Sequence, residues 1–311
     1  MKIKTNLPYK QVQDWPRLPE HFILGNPTGM DMDKDQNLVV FHRGSRIWPS
    51  IGPIPESRIN ENTILIIDKH SGNILRSWGE GIFIMPHGLK IDRDNNIWVT
   101  DCGLHQVLKF SHDGKMLMQL GEAKIPGHDS THFNKPTDVA FAPDGSFYVA
   151  DGYGNSRVVK FSAAGHFLLE WGRKGDKQGE FNIPHGIDVD DQGNVYVADR
   201  ENNRIQQFDA NGKFIKSLEN TGFGRICALR WSHQANSLVA VDYLTRMLVP
   251  MGSDILFFDS TGKVHSKFGR SGNYNGPVGW YHDMTIDKEG NIYVGDILNN
   301  SILKFGSGLK D

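Results

Sequence analysis

The chain has 311 residues, 38% of them hydrophobic, with 34 glycines and a formal net charge of −2. That is a globular composition without the basic footprint that nucleic acid or an anionic membrane surface requires, so neither is expected as a partner. Its two cysteines, Cys102 and Cys227, are too few for a disulfide framework and form no CxxC pair.

The opening stretch, MKIKTNLPYKQVQDWPRLPE, holds no apolar run of the length that a signal peptide or a membrane span needs, and a cytoplasmic location is expected. The chain then repeats itself. In order, TGMDMDKDQNLVVFHRG, HGLKIDRDNNIWVTDCGLHQVLKF, TDVAFAPDGSFYVADGYGNSRVVKF, HGIDVDDQGNVYVADRENNRIQQF, CALRWSHQANSLVAVDYL and HDMTIDKEGNIYVGDILNNSILKF share alternating apolar residues and a polar turn. A period of two in short runs, joined by Asp, Gly and Asn, predicts antiparallel hairpins. A repeat of roughly 40 to 60 residues holding four strands is a β-propeller blade. Six copies predict an all-β, six-bladed β-propeller, with residues 1–311 as a single domain.

Fourth strands are read in NILRSWG, HFLLEWG and VHSKFG, whereas the last copy has none after SILKF. Residues 1–26, with YKQVQDWPRLPEHF at their centre, are therefore predicted to supply the closing outer strand and cover an exposed edge. The units are similar to NHL repeats.

What recurs in every blade is scaffold, and what departs from the pattern is a candidate for function. Asp101, Asp151, Asp199, Asp242 and Asp296 recur at one blade position and are assigned to turns and hydrogen bonding. The position ahead of the first strand reads instead Thr28, His87, Thr137, His185, Cys227 (or Ala228) and His282. First strands face the ring axis, so histidines in alternate blades converge with near three-fold symmetry. That is the arrangement of a three-histidine metal site with open coordination positions. Zinc suits three neutral imidazoles best, and iron, cobalt or nickel accept the same ligand type. His42, His105, His112, His128, His132 and His233 fit no repeated position and are assigned to surface or local structure.

Residues just after the second strand lie on the same face as the histidines, and there the blades diverge into Arg43, Cys102, Gly152, Tyr153 and Arg200. Arg43 and Arg200 are expected across the pocket from each other, where guanidinium forks match a carboxylate or another oxyanion. A phenol beside a metal, Tyr153, is a candidate base. Nothing beyond its presence supports thiol catalysis by Cys102. Asp283, next to His282, is read two ways: as a ligand for a hard cation such as calcium, helped by backbone carbonyls of axial strands, or as the partner of an arginine or a backbone N–H.

At these residues the chain resembles the peptidyl-α-hydroxyglycine α-amidating lyase (peptidylamidoglycolate lyase) family. The stretches that carry the resemblance are FHRG, MPHGL, KPTDVA, VADGYGNSRVVKFS, FNIPHG, VADRENNRIQ and the pair His282–Asp283, which together span all six blades. The resemblance implies zinc on His87, His185 and His282, Tyr153 as the catalytic base, and Arg43 and Arg200 in the active site. It also implies a structural calcium on Asp283 and the carbonyls of Met30 and Leu89. The implied reaction breaks the C–N bond of an α-hydroxyglycine to give an amide and glyoxylate.

Two residues depart from the family pattern. Gly154 stands where animal members carry a disulfide cysteine, and Trp280 stands where a methionine is usual. No fused monooxygenase domain is expected, and the substrate is expected among small N-acyl or ureido α-hydroxy acids as well as peptides. Two other readings stand beside this one. A lactonase-like metal hydrolase is disfavoured by the three histidines, and a non-catalytic NHL scaffold for protein or RNA by the near-neutral composition.

Overall fold

The computed structural model describes residues 3–5, 7–49, 52–219, 222–271 and 276–306; of the expected domain, residues 1–2 and 307–311 lie outside the described residues. The described residues form six antiparallel sheets. Blade one runs Pro27–Met32, Leu38–His42, Ile64–Ile67 and Ile74–Trp78, and blade two Pro86–Ile91, Ile97–Asp101, Gln106–Phe110 and Met116–Leu120. Blade three runs Asp138–Phe141, Phe147–Asp151, Arg157–Phe161 and Phe167–Trp171, and blade four Pro184–Val189, Val195–Asp199, Arg204–Phe208 and Phe214–Glu219. Blade five runs Arg225–Ser232, Ser237–Arg246, Asp254–Phe258 and Val264–Gly269, with Val249–Gly252 folded back on its second strand. Blade six runs Tyr281–Ile286, Ile292–Asp296 and Ser301–Gly306, and Lys10–Gln11 lies on its outer edge. No helix among the described residues is long and apolar enough to cross a membrane.

The polar turns form because an aspartate accepts from the amides that follow it. Asp190 Oδ1 takes the Gln192 and Asn194 N–H groups at 3.0 and 2.8 Å, and Asp287 does the same for Glu289 and Asn291 at 2.9 Å each. Aromatic residues that end the outer strands pack on the next blade. Trp78 meets Phe110 at 5.2 Å, Trp171 meets Phe208 at 5.6 Å, and Phe268 meets Phe305 at 5.2 Å between ring centroids. The core is thus a set of apolar layers between blades, and the ring must close for the first and last blades to bury theirs.

The N-terminal segment makes that closure. Lys10 pairs with Gly306 and Gln11 with Phe305, and the Val12 N–H donates to the Lys304 carbonyl at 2.8 Å. Before this pairing, Lys4 bridges to the outer strand of blade five. After it, the Arg17 N–H reaches the Gly72 carbonyl of blade one at 2.8 Å, with Trp15 buried 5.2 Å from the Tyr293 ring.

One irregularity matters for function. In five innermost strands the pairing skips the ring position: from Pro27 to Gly29, Pro86 to Leu89, Pro184 to Ile187, Ile226 to Ala228 and Tyr281 to Asp283. A bulge re-aims the side chains it leaves unpaired. The skipped residues include Thr28, His87, His185, Cys227 and His282.

Candidate metal centre and catalytic pocket

The recurrent aspartates hold the loops that lead into these bulges. Asp101 accepts from the Ile84 N–H at 2.8 Å, Asp199 from Asn182 at 2.7 Å and Asp296 from Trp280 at 2.9 Å, each two or three residues before a histidine. Gly88 follows His87 because a Cβ there would lie 2.5 Å from the Thr137 carbonyl oxygen. The inner strands approach too closely at the axis for any side chain at that point.

That same carbonyl orients His87. Its Nδ1 lies 2.7 Å from Thr137 O, as His185 Nδ1 lies 2.7 Å from Cys227 O and His282 Nδ1 2.9 Å from Thr28 O. Each imidazole is held by the non-histidine residue of the following blade at the same ring position, which identifies Cys227 rather than Ala228 as the fifth blade's member. A carbonyl can only accept, so Nδ1 carries the proton and every Nε2 keeps its lone pair. The rings lie 4.7 to 4.9 Å apart, their ligand atoms fall within 4.8 Å of one another, and all three residues are buried. Burial holds all three below the ordinary histidine range, His282 at about 3; Arg200 acts in the same direction on all three and Arg43 on His87 and His282. Three neutral imidazoles with free Nε2 atoms fit a divalent transition metal.

Tyr153 lies against two of the three. Its hydroxyl lies 3.2 Å from His87 Nε2 and 3.1 Å from His185 Nε2, and accepts from Arg200 Nη1 at 3.3 Å. On balance burial raises its pKa, and the Arg200 and Arg43 charges pull against that rise. Arg200 lies over the Tyr153 ring at 5.4 Å and is paired with Glu201, which also holds Arg225. Arg43, only 3% exposed, donates to the Pro86 carbonyl at 3.1 Å and to Asn26 Oδ1 at 3.2 Å. Among the described residues no carboxylate pairs with it. A buried guanidinium without a counter-charge is a place for an anion. Cys102 is buried, donates to the Pro136 carbonyl at 3.3 Å, and has its thiol pKa pushed up by burial, the opposite of an activated nucleophile.

The NHL repeat family matches residues 83–110, 133–161 and 181–208. Peptidyl-glycine alpha-amidating monooxygenase B of Xenopus laevis is 38% identical over 316 residues, which cover 94% of this chain and 35% of that protein. Peptidyl-alpha-hydroxyglycine alpha-amidating lyase 2 of Drosophila melanogaster is 32% identical over 311 residues, covering 93% of this chain and 72% of the fly protein. This chain belongs to the peptidyl-α-hydroxyglycine α-amidating lyase family. It spans about a third of the length of the Xenopus relatives it matches. A solved streptogramin B lyase structure superposes with a TM-score of 0.60 at 14% identity, covering 96% of this chain and 97% of the other, a likeness of fold alone.

Against the family pattern, the calcium site expected on Asp283, Met30 and Leu89 does not fit. Of the two readings of Asp283, the structure contains the arginine partner. Arg230 Nη2 donates to Asp283 Oδ1 at 2.8 Å and Oδ2 at 3.0 Å, and to the Met30 carbonyl at 3.2 Å. The Met30 N–H also donates to Asp283 Oδ2 at 2.8 Å. Those oxygens are already satisfied by a cation that belongs to the chain. Trp280, where family members have methionine, stacks on Tyr243 at 4.1 Å beside Arg225, which lies 5.9 Å from the Tyr243 ring. A Cβ at Gly154 would fall 2.1 Å from the Asn134 side-chain carbon, so a cysteine there would displace that amide. Both cysteines are free.

Two contributors have no signature in the repeats, and a third has a faint one. Trp48 sits 5.0 Å from the Tyr153 ring and under the Arg43 guanidinium at 5.0 Å, but lies in a long turn with no counterpart in other blades. Asn26 precedes the first repeat. Arg230 sits in the most diverged copy. Its one signal is a cation at the inner-strand position that Lys90 holds in blade two.

Proposed function

We propose that this chain is a metal-dependent carbon–nitrogen lyase that cleaves a peptidyl- or N-acyl-α-hydroxyglycine to an amide and glyoxylate. The observation that carries the reading is the Tyr153 hydroxyl held 3.1 and 3.2 Å from two histidine Nε2 atoms, between half-buried Arg200 and buried Arg43. His87, His185 and His282 would hold zinc, or another divalent transition metal, as a Lewis acid that lowers the pKa of a substrate hydroxyl.

The chain's own groups do the rest. Arg43, buried and with no carboxylate paired to it among the described residues, binds the substrate carboxylate through its fork. Trp48 packs against both Arg43 and Tyr153 and shields them from water. The Tyr153 phenolate oxygen takes the proton of the α-hydroxyl, and Arg200 stabilises the phenolate by hydrogen bond and charge. As the hydroxyl oxygen's electrons form the C=O of glyoxylate, the C–N bond breaks and its electrons go to nitrogen. Tyr153 returns the proton to that nitrogen, giving the amide. Atoms balance without an oxidant or reductant.

The test is elemental analysis of the purified protein with, in the same sample, glyoxylate release from an N-acyl-α-hydroxyglycine. About one transition metal per chain and glyoxylate equal to amide is the expected result. Metal-loaded protein that releases none from peptide and acyl substrates alike would overturn the lyase reading.

A further inference from the structure

Arg230 sits in the inner strand of blade five and reaches across the channel to blades six and one. Its Nη1 donates to its own neighbour's carbonyl, Leu229 O, at 3.0 Å, while Nη2 alone meets both Asp283 oxygens and Met30 O at 2.8 to 3.2 Å. Arg230 is 6% and Asp283 5% exposed. One nitrogen therefore occupies the point on which three oxygens from two other blades converge. Calcium takes oxygen ligands at about 2.3–2.6 Å, so it cannot share that point with Nη2.

We propose that Arg230 is the built-in cation of the axial channel: its guanidinium stands in place of a divalent ion, joins blades one, five and six, and through Asp283 positions His282. His282 and Asp283 are adjacent in one bulge. The Thr28 carbonyl that orients His282 lies two residues before Met30, whose N–H and C=O both enter the Arg230–Asp283 cluster. Strands Pro27–Met32 and Tyr281–Ile286 are thereby fixed against each other at the point that aims the imidazole. Groups behind a metal ligand commonly set its affinity by holding its orientation. Lys90, 3.5 Å from Asp188, is a second internal cation on the same channel, linking blades two and four.

The experiment uses the whole zinc-loaded protein, freed of calcium by a calcium-selective chelator and then titrated with calcium by calorimetry and thermal melting. The wild type is expected to give no saturable heat and no shift in melting temperature. Arg230→Ala is expected to melt lower, to bind about one calcium per chain, and to recover part of the loss when it does. Its zinc affinity, read against a competing chromophoric chelator well below the melting transition, should fall roughly 10- to 100-fold, with partial rescue in Arg230→Lys. A purely packing role would lower the melting temperature and leave zinc affinity alone.

Stoichiometric calcium binding by the wild type that disappears in Asp283→Asn would overturn the proposal, as would unchanged zinc affinity in Arg230→Ala. Should that variant not fold, Arg230→Gln is read the same way. A wild type that takes up no transition metal sinks the metal reading of the histidines, and the calcium titration then decides on Arg230.

Discussion

At one level of the axial channel, His87, His185 and His282 converge with their Nε2 atoms, the Tyr153 hydroxyl meets two of them, and Arg43 lies buried nearby with no carboxylate paired to it among the described residues. One to three residues beyond the ring position on the inner strands, Arg230 is paired with Asp283 and Lys90 with Asp188. Both levels are charged, largely buried and built from the same repeats. The difference is valence. Where donors and acceptors are engaged in charge pairs inside the chain, the group belongs to the scaffold, because any ligand must first break a buried pair. Where they are left open in a buried setting, the desolvation cost has already been met by folding, and a ligand gains the full interaction.

That contrast can be broken most severely at the open level. His185→Ala should lose the bound metal and reduce glyoxylate release to background, while the circular dichroism spectrum stays that of the wild type. Unchanged metal content would remove His185 from the site. Tyr153→Phe should keep the metal and lower kcat by roughly 10²- to 10⁴-fold, the range of a positioned acid–base group. Full activity in that variant would transfer the proton to another group.

Arg43→Lys keeps the charge and loses the fork. The loss of charged hydrogen bonding, about 1.5–3 kcal/mol, should lower kcat/KM roughly 10- to 150-fold. An effect of similar size on a substrate lacking the carboxylate would show that Arg43 does not bind it. Cys102→Ala probes a group whose valence is filled by the Pro136 carbonyl. Stability should drop by about 1 kcal/mol and turnover stay within a few-fold, measured by thermal melt and initial rates. A complete loss of turnover would show that the thiol takes part in the chemistry.

Much of this architecture is legible in the amino-acid sequence. The alternating strands, the six repeats and the histidines of every second blade are local patterns, and local patterns repeat when the structural unit repeats. The closing strand is legible as well, since a last blade lacking its outer strand leaves an edge for Lys10–Gln11 to cover. Trp48 is not, because a turn with no counterpart in other blades offers nothing to compare it with. Asp283 is legible as a charge at the axis but not as to its partner.

The sequence by itself determined which side chains are available at the axis: their order along the chain, their blade and their ring position. Only the tertiary structure decided which of them meet. Asp283 and Arg230 are 53 residues apart, and Asp283 and Met30 are 253 apart. Whether a buried carboxylate waits for a calcium ion or closes on a guanidinium depends on the geometry across three blades. Bulges that turn His87, His185 and His282 inward likewise belong to pairing between strands. Repetition sets position along a strand, and closure of the ring sets the neighbours across it.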